Sequence, residues 1–475
     1  MSDDIFFHGS AVFNPFSIIM DIIIADYICP GSRDGHQEKH MSKKEKIIRR
    51  ILCFLLAASM LFAASCSKAP SSDKEENAPT DEQTETGTVE EKPVYDNSPL
   101  FGPLVLSDSD SFTGGTYVSE EPDVSAVEAS GTVNAEMTGS VICKNSGGAT
   151  SADDSSFRGV NAAVRAYGDS VVTLRDCTVS ADAENATGVF AYQNAVIYIY
   201  DSTVTVTGGG SGGVQVAGGG TLYGENLTVE SESKAAIRSD RGGGVMVLRG
   251  GSYTSRGFNG CPAIYSTADI TVTDALCVSE NSRAVIIEGK NSVSLENCVL
   301  TGNDQSSKEG SVRAAVLLYQ SASGDAKEGV SVFTMSGGSL TSFSGALFYV
   351  TNTSSVINLR GTQLIPSDTG MLLIVSEGRW GKDGRNGGKC EMNVSDQTLS
   401  GDIFVDGISS LSLRLENVSY TGAITGDGDI SLDMGSGSSW VLTGDSRVDS
   451  LTGDTSGIDL NGFSLYVGGE EFTSH

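Results

Sequence analysis

VRAYGDSVVTLRDCTVSA, Val164 to Ala181, decides how this chain folds. Its apolar residues alternate, as at Val172 and Leu174, and a period of two turns one side of a strand inward and the other outward. The strand then meets Asp176, a residue type that tolerates left-handed backbone angles where the chain must bend sharply. The pattern returns in VFAYQNAVIYIYDSTVTV from Val189, VQVAGGGTLYGENLTVES from Val214 and VIIEGKNSVSLENCVLTG from Val285. In each copy an Asp or Asn (Asp176, Asp201, Asn226, Asn297) falls 12 residues after the opening valine. Looser copies open at Ile237, Ile264, Val316, Phe348, Leu372 and Phe404, with Gly250, Gly337, Gly361 and Asn417 at or near the bend. Steps between openings range from 21 to 32 residues while the internal spacing holds. That combination predicts a coil with three short strands per turn and one loop free to grow. One such turn cannot bury its own interior, so neighbours must stack and share a core.

The V-x-V/L/I-x-D/N-x-x-V pattern, over roughly residues 115 to 465, resembles the right-handed parallel β-helix of pectate-lyase-like solenoids. It is most similar to the adhesin-like surface β-helix proteins of anaerobic bacteria. The resemblance implies an all-β domain over 101–475 with a C-terminal cap, its roughly twelve coils stacked at ~4.8 Å into a rod on the order of 60 Å long. Composition agrees. Glycine supplies 58 of 475 residues, about 12% against a usual ~7%, and Val, Thr, Ser, Asn and Asp dominate after residue 100.

The formal charge of −29 and pI near 4.4 argue against a nucleic-acid partner, which needs clustered Lys and Arg. From Met41 the chain reads MSKKEKIIRRILCFLLAASMLFAASCSKAP, a cationic start, an apolar run from Ile51 to Ala64, then Cys66. That is a secretory leader over 41–65. Ala63, Ala64 and Ser65 before Cys66 resemble a bacterial lipobox, which implies acylation of the Cys66 thiol and anchoring in a lipid bilayer outside the cytoplasm; a plain cleavable leader is the alternative. Residues 1–40 then read as an extension ahead of the true start at Met41. Residues 66–100 are acidic, rich in Pro, Ser and Thr and nearly free of aliphatics, and read as an extended tether.

Cys177 raises the question of a reactive thiol. Its column holds Ser202, Leu227, Cys298 and Val418 in other coils, all small or apolar, so it reads as core filler. Cys277 is expected in the coil next to Cys298, with side chains too parallel to suit a disulfide. Just before the bend an outward column reads Arg175, Tyr200, Glu225, Arg249, Glu296, Arg360 and Glu416, with Glu225 expected within reach of Arg249.

Two features are candidates for ligand contact. Aromatics gather on the early coils, Tyr167 over Tyr192 and Tyr198 over Tyr223 with Phe190 and Tyr200 nearby, and stacked rings on a flat face suit sugar rings; exposed strands also favour Tyr without any ligand. The segment GRWGKDGRNGG, Gly378 to Gly388, sets Trp380, Lys382 and Arg385 in a glycine-rich loop, which is either a binding element or a local plug with Trp380 on the coil edge. TGDGDISLD, with Asp427 and Asp429, carries a weak calcium-loop signal, and a polar turn is the ordinary reading; no other cofactor is expected.

The resemblance also raises polysaccharide cleavage, by a lyase or glycoside hydrolase. After Cys66 only His475 is a histidine, and no convergent carboxylates are visible, Asp153 and Asp154 reading as a solvated serine-rich turn. Arg165, or Arg238 beside Asp240, are the residues a lyase of this fold would use. The sequence therefore favours a tethered binding or adhesion module, taking carbohydrate or a cell-surface protein, over an enzyme or a plain envelope spacer.

Overall fold

The computed structural model describes residues 100–258, 260–307 and 311–473. The expected extension 1–40, leader 41–65 with its cleavage point at Cys66, and tether up to residue 99 lie outside the described residues.

The chain winds as a right-handed parallel β-helix. One coil is Val164–Gly168, Val171–Arg175 and Thr178–Ala181. Strands in these three positions stack coil on coil into a first, second and third face. Among the described residues the first face holds 13 strands, close to the expected dozen coils, and the third holds 11. Among the described residues the first coil strands are Leu100–Phe101 and Leu104–Val105, ahead of the stretch where the repeat pattern is visible.

Like stacks on like. The inward column of the first face runs Val164, Val189, Val214, Ile237, Ile264, Val285, Val316, Phe348. That of the third face runs Val179, Val204, Val229, Tyr253, Cys277, Leu300, Leu340. These side chains, almost all fully buried, form one continuous apolar core. The bends are left-handed as the sequence requires: φ is 51° at Asp176, 48° at Asp201, 55° at Asn226, 66° at Gly250 and 53° at Asn297. Amides tie successive bends together, Asn226 Nδ2 donating to Asp201 Oδ1 at 3.0 Å and Asn417 Nδ2 to Asp396 Oδ1 at 3.1 Å.

Two expectations are corrected. Phe348 pairs with Leu373, and Leu373 with Ile403, so the late copies open one residue away from Leu372 and Phe404. The strand Met371–Val375 is apolar throughout, which erases the alternation that sets register, and an irregularity between Met371 and Leu373 absorbs the extra residue. Asp153 and Asp154 sit in a helix, α1 (Ala152–Arg158), not a bare turn. Ser151 caps its start through a hydrogen bond from the Asp154 N–H, and Gly159 at φ 68° ends it. Glu225 and Arg249 are register neighbours as expected, and the arginines of that column form ion pairs at Arg175–Glu136 (2.9 Å) and Arg360–Asp396 (3.1 Å).

Cys177 lies in the wall, 2% exposed, its thiol 3.3 Å from the Arg175 carbonyl and 3.5 Å from that of Met137. Burial pushes its pKa up, away from thiolate chemistry. Cys277 and Cys298 sit in adjacent coils but in different columns, one in a third-face strand and the other after the bend, and both are unbridged.

Candidate binding cleft

The second face is a single bare wall. Outward residues along Val196–Tyr200 and Gly220–Glu225 are half-buried or exposed, and Tyr198 stacks on Tyr223 with centroids 5.1 Å apart. Arg175 lies 4.3 Å over the Tyr200 ring.

The first face is different. Its outward column reads Phe190, Gln215, Arg238, Tyr265, Ile286, Leu317, Tyr349, Ile374. An apolar outward column must be covered, and long loops do so. Helix α1 lies over Phe190, which is fully buried with Ala162 and Ala217, and Gln215 Nε2 donates to the Ser156 carbonyl at 2.8 Å. Farther along, Ile286, Leu317, Tyr319 and Tyr349 form a second apolar cluster outside the solenoid, with Trp380 packed against it.

The six early-coil aromatics therefore do not make one platform. Tyr167 and Tyr192 belong to the first face, Tyr198, Tyr200 and Tyr223 to the second, and Phe190 is interior. Arg165 is committed as well: it pairs with Glu128 at 3.1 Å, donates to the Arg158 carbonyl and lies 4.2 Å over Tyr167.

Between the covering elements a cleft of about 290 Å³ remains, lined by Lys234, Arg238, Tyr265, Arg283, Tyr319, Arg379 and Trp380 among others. It brings together two features that lie far apart in sequence, Arg238 with Asp240 and the Trp380 loop. The loop is held in shape by Asn386, nearly fully buried, whose Nδ2 donates to the carbonyls of Gly378 (2.7 Å) and Trp380 (2.9 Å). Trp380 then rests against Tyr319, centroids 4.5 Å apart. Lys382 and Arg385 point to solvent outside the cleft, and Arg379 lines it instead.

Behind the aromatic wall sits Glu288, 1% exposed. Its Oε2 accepts from the hydroxyls of Tyr265 (2.6 Å) and Tyr319 (2.7 Å), and its Oε1 from Ser321. These bonds fix both rings from behind. Arg238 pairs with Asp240 at 2.5 Å and buried Arg283 with Asp304 at 3.0 Å. Arg238 and then burial hold the Lys234 ammonium below its ordinary pKa. Burial pulls the Arg283 guanidinium down against Asp304, with Arg379 adding repulsion.

At the weak calcium signal, the Gly426 and Gly428 carbonyls flanking Asp427 accept from Arg447 Nη1 at 2.8 and 2.9 Å, so a guanidinium already occupies those oxygens. Among the described residues no group of three or more His, Cys, Asp or Glu is placed to hold a metal.

Comparison with protein-family models, with curated proteins and with solved structures finds no match for this chain. Lys234, Tyr265, Arg283, Glu288, Tyr319 and Arg379 carry no sequence motif, but one signal was present. Tyr265, Ile286, Leu317 and Tyr349 break the polar side of the alternation in four successive coils, which marks a face under cover.

Proposed function

We propose that this protein is an exported binding module, lipid-anchored through Cys66 and held off the bilayer by its acidic tether, that takes a carbohydrate ligand in the first-face cleft. It is read as an adhesin-like relative of the pectate-lyase-like solenoids. The observation that carries the reading is the aromatic wall: Trp380 on Tyr319, with Tyr265 and Tyr319 anchored by Glu288. Rings fixed in place offer a sugar an apolar surface at little ordering cost, and a cleft of about 290 Å³ lies at the small end of small-molecule sites, roughly 300–1,000 Å³. The stacked Tyr198 and Tyr223 are a subordinate surface, since nothing encloses them.

Screening the full chain against an immobilised glycan panel tests this. Binding that Trp380→Ala abolishes and the Tyr198→Ala, Tyr223→Ala pair leaves intact supports the cleft. Absence of any bound glycan, or full binding by Trp380→Ala, overturns it. Metabolic labelling with a radioactive fatty acid, retained in the wild type and lost in Cys66→Ser, tests the anchor.

A second reading, polysaccharide cleavage, is favoured by one observation: the phenols of Tyr265 and Tyr319, each hydrogen-bonded from behind by the Glu288 carboxylate, line the same cleft as the Arg283 guanidinium. Release of unsaturated or reducing ends from a bound glycan would establish it.

A further inference from the structure

We infer that the cleft contains a subsite for one oxyanion group, a carboxylate, sulfate or phosphate, carried by an otherwise neutral saccharide and held between Lys234 and Arg379. The inference rests on the carbohydrate reading above and narrows it.

Four cationic side chains, Lys234, Arg238, Arg283 and Arg379, line one small cavity on a chain whose net charge is −29. Two of them are matched, Arg238 by Asp240 and Arg283 by Asp304. The third nearby carboxylate, Glu288, is taken up by hydroxyl donors from Tyr265, Tyr319 and Ser321. That leaves two. Neither has a carboxylate of its own within ion-pair distance among the described residues: Lys234 shares the attraction of Asp240, which Arg238 already holds, and Arg379 lies over the Trp380 ring, 5.0 Å from its Cζ.

Both cations stand beside a like charge, Lys234 by Arg238 and Arg379 by Arg283, a repulsion that Asp240 and Asp304 offset in part. A bound oxyanion removes that repulsion and gains charge-assisted hydrogen bonds in a partly desolvated site. Arg379 and Trp380 are consecutive residues of one loop, so the acid group and the ring it belongs to are read together.

The same charge distribution limits the ligand. The excess of cations is local and the body strongly acidic, so a chain with an acid on every unit is repelled beyond the cleft, whereas a single acid on a neutral glycan is not. A terminal acidic sugar, or one sulfated or phosphorylated unit, meets that condition.

Calorimetric titration of the full chain is the test, with methyl glucoside, methyl glucuronide, glucose 6-sulfate, glucose 6-phosphate, polygalacturonate and inorganic phosphate as probes. At least one acid-bearing sugar is expected to bind about tenfold or more tighter than methyl glucoside, one charge-assisted contact's worth. Comparing the three acids tells carboxylate from sulfate or phosphate. Arg379→Gln, an exposed loop position that does not threaten folding, and Lys234→Met should each remove that preference while neutral binding persists. Equal binding of neutral and acidic sugars, or an unchanged preference in both variants, overturns the subsite and leaves the carbohydrate reading standing. Polygalacturonate binding as tightly per site as the single-acid sugars overturns the limit to one charge. Inorganic phosphate binding with no sugar preferred over it supports the anion site and defeats the carbohydrate reading.

Discussion

The first and second faces share a backbone, a period and a core, yet one is a bare wall and the other carries a second storey. Inward, both stack apolar side chains, mostly aliphatic. Outward, the second face alternates to polar residues and a few exposed rings, as at Thr271 between Ile270 and Val272. On the first face the outward positions turn apolar at Tyr265, Ile286, Leu317 and Tyr349, and the loops beside them cover them. The scaffold thus builds a site without altering its coil, by letting connections lengthen where the wall becomes sticky.

Four measurements would break or sharpen this contrast. The largest effect is expected at Phe190. Phe190→Ala should cost about 3–5 kcal/mol of stability by denaturant unfolding, whereas Tyr223→Ala on the bare wall should cost about 0.5–1.5 kcal/mol, the worth of one stacked pair. Equal costs would mean that the first face is not covered. Next, Glu288→Gln keeps shape but gives the hydroxyls of Tyr265 and Tyr319 a poorer acceptor, with an expected cost of about 1–3 kcal/mol. The same variant should make Trp380 easier to quench with acrylamide; the other tryptophan, Trp440, is fully buried and does not contribute.

A smaller effect belongs to the bends both faces share. Asn297→Ala forces a Cβ without its amide into φ 53° and should cost about 1–2 kcal/mol, while Asn297→Gly should change stability by much less. The smallest effect at neutral pH is at Cys390, an inward second-face thiol whose pKa burial pushes up to about 12 from an ordinary 9. The unfolded chain releases this proton first, so its contribution is complete below pH 9 and is lost as pH rises towards 12. Cys390→Ala should leave stability at pH 7 within core-packing error and make the alkaline limb shallower.

The repeat was legible because its determinants are local. Period-two alternation and an Asp or Asn at a fixed offset are properties of consecutive residues, and Val164, Val189 and Val214 align in space as they do in sequence. Register faded where alternation did, at Met371–Val375. Helix α1 was hidden because its seven residues hold too few apolar positions to show a period, although its caps, Ser151 and Gly159, were in plain view. The cleft was only half legible. Arg238, Asp240 and Trp380 stood out as residue types, but Lys234, Tyr319 and Arg379 gain meaning only from loops that return across several coils. Lys382 and Arg385 share the loop's charge but not its cleft side; Arg379, next to Trp380, lines the cleft.

The last described strands form a hairpin. Leu465–Val467 turns at Gly468 and Gly469 to meet Glu470–Glu471, the one antiparallel pairing among the described strands. A pile of interchangeable rungs has no intrinsic length, and an open terminal rung would template another molecule as readily as the next stretch of its own chain. Reversing this strand and arming it with two exposed carboxylates gives that rung an edge poorly suited to pairing with another parallel strand.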